Sequence, residues 1–239
     1  MFEWIFSLDS WITLITLSVL EIILGIDNII FLAILVSKLP PQYRDKGRIL
    51  GLGFAMLTRI LLLLCLFWVM KLTTPLFSVF KNEISGRDLV LLLGGLFLII
   101  KSIKEIKEQI SHQEEDKTHF KAANKLWIVV AQIAVIDIVF SLDSVITAVG
   151  IAQDVSIMII AVIIAVIIML FASKAISDFI EKYPSIKILA LAFLVLIGLV
   201  LVAESFDFHI QKAYIYTAMA FALIVQILNI LDEKNKEKS

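Results

Sequence analysis

Glu21-Ile22-Ile23-Leu24-Gly25-Ile26-Asp27-Asn28-Ile29-Ile30 lies inside an otherwise apolar run, and Asp137-Ile138-Val139-Phe140-Ser141-Leu142-Asp143-Ser144-Val145-Ile146 repeats its plan. Column by column both stretches read acid, two β-branched residues, a large apolar residue, a small one, an aliphatic one, a second acid, a hydrogen-bonding residue and two more β-branched residues. Four carboxylates therefore stand where a bilayer would be. An Asp facing lipid at a helix centre costs roughly 2.5 to 3.5 kcal/mol, so four would cost on the order of 10 kcal/mol. That rivals the whole stability of a domain, about 5 to 15 kcal/mol. The acids are expected to face a bundle interior or a wet cavity.

The bilayer itself follows from composition. The chain has 239 residues, 60% hydrophobic and 18% charged, with a mean hydropathy of +0.98. A water-soluble domain of this size could not cover its surface with so few polar side chains. The net charge of -1 gives no basis for a nucleic-acid partner. Apolar runs near the spanning length of about 20 residues fall at 11–36, 50–70, 89–103, 126–151, 155–175, 186–203 and 213–231. The expected fold is thus an all-α polytopic membrane protein with seven transmembrane helices. The third run is short, but Ile99, Ile103, Ile106 and Ile110 recur at helical spacing and predict a stalk continuing past the membrane.

Basic residues orient the bundle. Sixteen lie in the loops after runs one, three and five and in the tail, against four on the opposite side, with Arg59 inside the second run. By the positive-inside rule the N-terminus is outside and the C-terminus cytoplasmic. Three runs separate the two motif copies, so the copies cross the membrane in opposite directions. This predicts an inverted repeat of three plus three helices with one extra C-terminal helix: 1–110 as first repeat, 111–123 as a charged cytoplasmic loop, 124–206 as second repeat, 207–231 as seventh helix and 232–239 as tail. The loop holds His112 and His119 among acids. A metal-sensing loop is one reading of it, and a solvated linker is the plainer one.

Six residues along a helix turn through about 600°, which leaves the two acids of each motif about 120° apart around the axis and about 9 Å apart along it. A straight helix cannot aim both at one ion. Gly25 and Ser141, between the acids, are therefore expected to break their helices, with Asp27-Asn28 and Asp143-Ser144 capping restarted half-helices. The candidate cation-handling residues are Glu21, Asp27, Asn28, Asp137, Asp143 and Ser144. Oxygen donors without His or Cys suit Mg²⁺, Ca²⁺ or Mn²⁺. Protons compete with a cation for such oxygens, so proton antiport is the expected coupling. Arg59 can neutralise one carboxylate, either as a structural ion pair or as a gate.

The two motifs, with Gly86-Arg87-Asp88-Leu89-Val90-Leu91-Leu92-Leu93-Gly94-Gly95-Leu96-Phe97-Leu98, resemble the TerC family of integral membrane proteins, named for tellurium resistance. The resemblance covers essentially the whole chain. It implies a bacterial inner-membrane protein and, by analogy with several relatives, efflux of Mn²⁺, with that ion as cargo and no prosthetic group. Other relatives are linked to tellurite resistance or to loading metal onto exported enzymes, so a non-transporting membrane scaffold is the alternative. A membrane aspartyl protease is disfavoured, because the expected catalytic dipeptides are missing, and no enzymatic activity is expected. Divalent metal ions, protons and the lipid bilayer are the expected partners, and a homodimer is left open.

Overall fold

Gly25 divides the first apolar run. The computed structural model describes residues 7–79, 82–111, 122–151, 154–208 and 210–236. In it α1 (Leu8–Leu24) ends at Gly25 and α2 (Ile26–Ser37) starts directly after it, with a 40° bend between the two. The Gly25 amide donates to the carbonyls of Glu21 and Ile22 at 2.9 and 3.1 Å, a tightened last turn. Its φ of −82° is open to any residue. What demands glycine is space: a Cβ would strike the Met169 sulfur and lie 2.9 Å from the Glu21 carbonyl.

Past α2 the chain turns through Pro40 into α3 (Pro41–Leu64), with proline at its first position, where no amide partner is lost. Arg44 closes that corner. It donates to the carbonyls of Leu39 and Ser37, which the end of α2 leaves unpaired, and to Glu181 at 2.8 Å. A short α4 (Leu66–Lys71) follows Cys65, an exposed residue. Next comes an antiparallel hairpin of β1 (Pro75–Val79) and β2 (Asn82–Ser85). This small sheet departs from the all-α expectation.

Ser85 and Asp88 start α5 (Gly86–Ser111) with a reciprocal cap. The Ser85 amide and hydroxyl donate to the Asp88 carboxylate at 2.8 and 2.6 Å, and the Asp88 amide donates back to the Ser85 hydroxyl. The helix runs on to Ser111, past the apolar segment. Then come α6 (Ala122–Ile151), α7 (Val155–Lys182), α8 (Pro184–Glu204) and α9 (Lys212–Lys236).

Among the described residues five helices, α3 and α6 to α9, are long and apolar enough to cross a membrane, and the bent α1–α2 pair makes a sixth when taken as one span. The expected third span, α5, fails that test because Arg87 and Asp88 at one end and Lys101, Lys104 and Glu105 at the other leave only a short uncharged stretch. It is nonetheless embedded. Its widest contact is with α8, where a Cβ on Gly95 would lie 2.7 Å from the Gly198 carbonyl and one on Gly198 2.9 Å from that of Gly95. Paired glycines let the two backbones touch, as small residues do between membrane helices. On the adjoining face Gly94 leaves room for Val139 of α6. Elsewhere α3 lies along α6, both α1 and α2 lie along α7, and α9 packs on α8.

The core is aliphatic, with Leu17, Leu32, Leu63, Leu98, Ile136 and Leu191 fully buried. Leucines and isoleucines left exposed on α1, α3, α7 and α9 face outward, as a bilayer requires. The histidine loop (His112, His119) lies outside the described residues.

Candidate cation site at the centre of the bundle

Arg59 of α3 and the first acid of each motif copy form one buried cluster. Arg59, Glu21 and Asp137 are each about 3% exposed. The Arg59 Nη1 donates to Glu21 Oε2 at 2.5 Å. Its Nη2 and Nε reach the Asp137 carboxylate, at 2.9 and 3.1 Å to Oδ1. One guanidinium fork thus ties the first copy to the second, the geometry for which arginine is suited and lysine is not.

Asp137 is the better supported acid. Its Oδ1 also accepts from the Asn28 side-chain amide at 2.9 Å, and its Oδ2 accepts from Ser141 at 3.0 Å and Thr58 at 3.3 Å. The Asn28 amide oxygen, also buried, has no hydrogen-bond partner among the described residues. An oxygen left this way is costly to bury and available to a cation.

Ser141 does not break α6. The helix is continuous through it, which corrects the expectation of a second break. Its hydroxyl turns back one helical turn to Asp137, and the Ser144 hydroxyl donates to the Ser141 carbonyl at 3.2 Å. Serines bonded to the preceding turn satisfy themselves without interrupting a helix.

Arg59 also separates two cavities. One is lined by Asp137 and Asn28, with Leu52, Ala55, Ile133 and Met169 in its wall. The other is lined by Glu21 and Ser144, with Leu17, Leu63, Met158 and Ala161. Arg59 belongs to both walls. Each cavity therefore joins the first acid of one copy to the hydrogen-bonding residue seven positions after the first acid of the other.

The second acid of the first copy is not in this cluster. Asp27 is buried but lines a different crevice, shared with Phe140 of α6, Glu204 at the end of α8 and Tyr216 of α9. For Asp143 the backbone is part of α6, and its side chain lies outside the described residues. Among the described residues no three His, Cys, Asp or Glu side chains converge as a metal cage. A hard cation here would take carboxylate, amide and hydroxyl oxygens together, a donor set that fits it. Sequence reasoning passed over Thr58 and Glu204. Glu204 carried a signal, since an acid on the last turn of a helix opposes the helix dipole and stands there at a cost.

The model of a family described as "Integral membrane protein TerC family" matches residues 6–239. A "UPF0053 protein" of Haemophilus influenzae is 62% identical over 230 residues, covering 96% of this chain and 97% of that protein. The "UPF0053 inner membrane protein YgdQ" of Escherichia coli is 53% identical over 235 residues, 98% of each chain. In the "UPF0053 inner membrane protein YoaE" of the same organism the identity is 46%, and the match covers 98% of this chain but 45% of that longer protein. No solved structure matches. The chain belongs to the TerC family of integral membrane proteins.

Proposed function

We propose that this protein transports a hard divalent cation, Mn²⁺ first among candidates, out of the cell across the bacterial inner membrane in exchange for protons, through a site shared by the two motif copies. The observation that carries the proposal is the pairing across the two cavities, Asp137 with Asn28 and Glu21 with Ser144, on either side of one guanidinium. An ion bound by one half-site faces a different cavity from an ion bound by the other. That is what alternating access needs.

The inverted repeat, with α5 as its third span and α9 as the appended seventh, draws support from the same walls. Leu17 and Ile133, Glu21 and Asp137, and Asn28 and Ser144 keep one constant offset between α1–α2 and α6. Leu52 and Met158, Ala55 and Ala161, and Leu63 and Met169 keep another between α3 and α7. Exchanging the repeats therefore exchanges the cavities. Helix packing has the same form, since α3 on α6 is the counterpart of α7 on the α1–α2 pair.

Inner-membrane placement rests on the names of the E. coli relatives, and orientation with the N-terminus outside rests on the basic loops. Asp27 and Asp143 enter as further acids along the path, with Glu204 beside the first. Oxygen donors favour Mn²⁺, Mg²⁺ or Ca²⁺ over softer metals, and protons would compete for the carboxylates. A membrane scaffold is the second reading, favoured by the fact that Arg59 already pairs with both central acids.

The test is Mn²⁺ flux into proteoliposomes under an imposed pH gradient, comparing the full chain with Asp137→Asn and Asp27→Asn variants that insert equally. Flux following the gradient, lost in Asp137→Asn and reduced in Asp27→Asn, is expected. Wild-type protein that is folded and yet passes no Mn²⁺ would shift the assignment to the scaffold.

A further inference from the structure

Resting on the transport proposal, we infer that Arg59 is a tethered counter-cation: its guanidinium holds Glu21 and Asp137 together when the transported ion does not, and the ion binds only once that bridge opens. The first ground is occupancy. Arg59 takes Glu21 Oε2 and both oxygens of Asp137, the hard donors an incoming cation needs.

Valence is the second ground. Two carboxylates and one guanidinium carry a net charge of minus one. With a divalent ion in place of the guanidinium the set is neutral, and with both cations present it carries plus one. In a buried site, where charges interact several-fold more strongly than in water, the neutral combination is the one that holds an ion. Arg59 and the ion therefore exclude one another.

The third ground is asymmetry. At the offset that relates α3 to α7 the counterpart of Arg59 is Ala165, which is fully buried. The two copies offer matched half-sites, but a single cationic side chain stands between them, and it borders the cavity of each. An ion pair needed only to cement two repeats could belong to either wall. One fork that reaches both first acids and separates both cavities instead makes the cavities discontinuous while it stays in place.

The experiment is a Mn²⁺ titration of the purified, detergent-solubilised full chain, read from the loss of the free-ion resonance signal, for wild type, Arg59→Gln and Arg59→Lys. A bridge that persists nine times in ten lowers apparent affinity about tenfold, so Arg59→Gln should bind roughly tenfold more tightly. Arg59→Lys keeps the charge but loses the fork, and should tighten binding by about threefold. Lysine separates competition by the bridge from a general effect of positive charge, and it serves as the deciding variant where glutamine prevents folding. Folded Arg59→Lys with wild-type or weaker affinity overturns the inference while leaving metal transport standing. Absence of Mn²⁺ binding in every folded variant overturns the metal reading, and this inference with it.

Discussion

The two motif copies solve the same steric problem differently at the residue between their acids. In the first, Gly25 ends α1 and lets α2 depart at 40°, with Met169 seated where a side chain would stand. In the second, Ser141 keeps α6 continuous and spends its hydroxyl on Asp137. The acids differ accordingly. Asp137 accepts from Arg59, Asn28, Ser141 and Thr58, whereas Glu21 accepts from Arg59 at 2.5 Å and has the Ser144 hydroxyl beside it. A small residue thus serves backbone geometry in one copy and carboxylate solvation in the other. One copy is rigid and holds its acid, and the other is jointed.

Removal of each acid is the strongest way to break this comparison. Asp137→Ala leaves Arg59 buried with a single carboxylate and strands the Asn28 amide, and should cost roughly 3 to 5 kcal/mol, the penalty for breaking a buried ion pair. Glu21→Ala removes one charge-assisted hydrogen bond while the fork on Asp137 persists, and should cost roughly 1.5 to 3 kcal/mol. Thermal unfolding of both variants in one detergent decides the order. Equal losses would mean that the copies carry equal weight, and a larger loss for Glu21→Ala that the first copy carries more.

Exchange of the small residues tests the joint itself. Gly25→Ala puts a methyl group against Met169 and the Glu21 carbonyl, an overpacking expected to cost about 1 to 3 kcal/mol. Ser141→Ala removes one hydrogen bond from Asp137 and should cost about 1 kcal/mol. Transport should separate them further, because only Gly25→Ala alters the angle between α1 and α2. Mn²⁺ flux that falls more for Ser141→Ala than for Gly25→Ala would show that solvation of Asp137, and not the bend, limits turnover.

Much of this was legible in the sequence, and the errors have a common origin. Hydropathy located the helices that are long and apolar enough to cross a membrane, because lipid imposes long apolar runs on them. It could not decide α5, whose place depends on Gly95 meeting Gly198 and Gly94 meeting Val139 rather than on apolar length. Four motif residues, Glu21, Asn28, Asp137 and Ser144, border the central pair of cavities, and the fifth participant, Arg59, was visible as a lone charge in an apolar run. The expectation that both acids of a motif share one ion is not met in the first copy, where Asp27 lines another crevice. Residues seven apart on a helix differ by only about 20° in direction, so Glu21 faces with Asn28 and Asp137 with Ser144. Asp27, six residues from Glu21, stays on another face despite the bend and meets the crevice of Glu204. Glu204 was overlooked because it stands one residue beyond its apolar run, where an acid looks like ordinary loop chemistry.

The smallest expected effect concerns the anchor at the far end of the jointed copy. Lys38, directly after α2, donates to Glu105 at 2.5 Å and to Glu108 at 3.2 Å on the stalk of α5. Burial alone would lower the Lys38 ammonium, but its hydrogen bonds to and charge attraction by Glu105 and Glu108 outweigh burial and hold it above the ordinary value of 10.5. Burial likewise raises Glu108, yet Lys38 and the neighbouring Lys104 and Lys101 bring it below the ordinary 4.5. The sign of each follows. The Lys38 contribution is complete below about pH 10.5 and disappears as pH rises through its elevated folded value, whereas that of Glu108 is complete above about pH 4.5 and disappears as pH falls through its depressed one. Between those limits the anchor is intact, and because Lys38 and Glu108 retain solvent contact while Lys101 still pairs with the buried Glu105, losing Lys38 should cost about 1 kcal/mol. Lys38→Met should therefore lower the unfolding temperature slightly at pH 7 and flatten the alkaline and acidic edges of the stability profile together. A Lys38→Met protein with wild-type stability at both edges would show that α2 is held by its packing on α7 and α6, and that the jointed copy needs no electrostatic anchor.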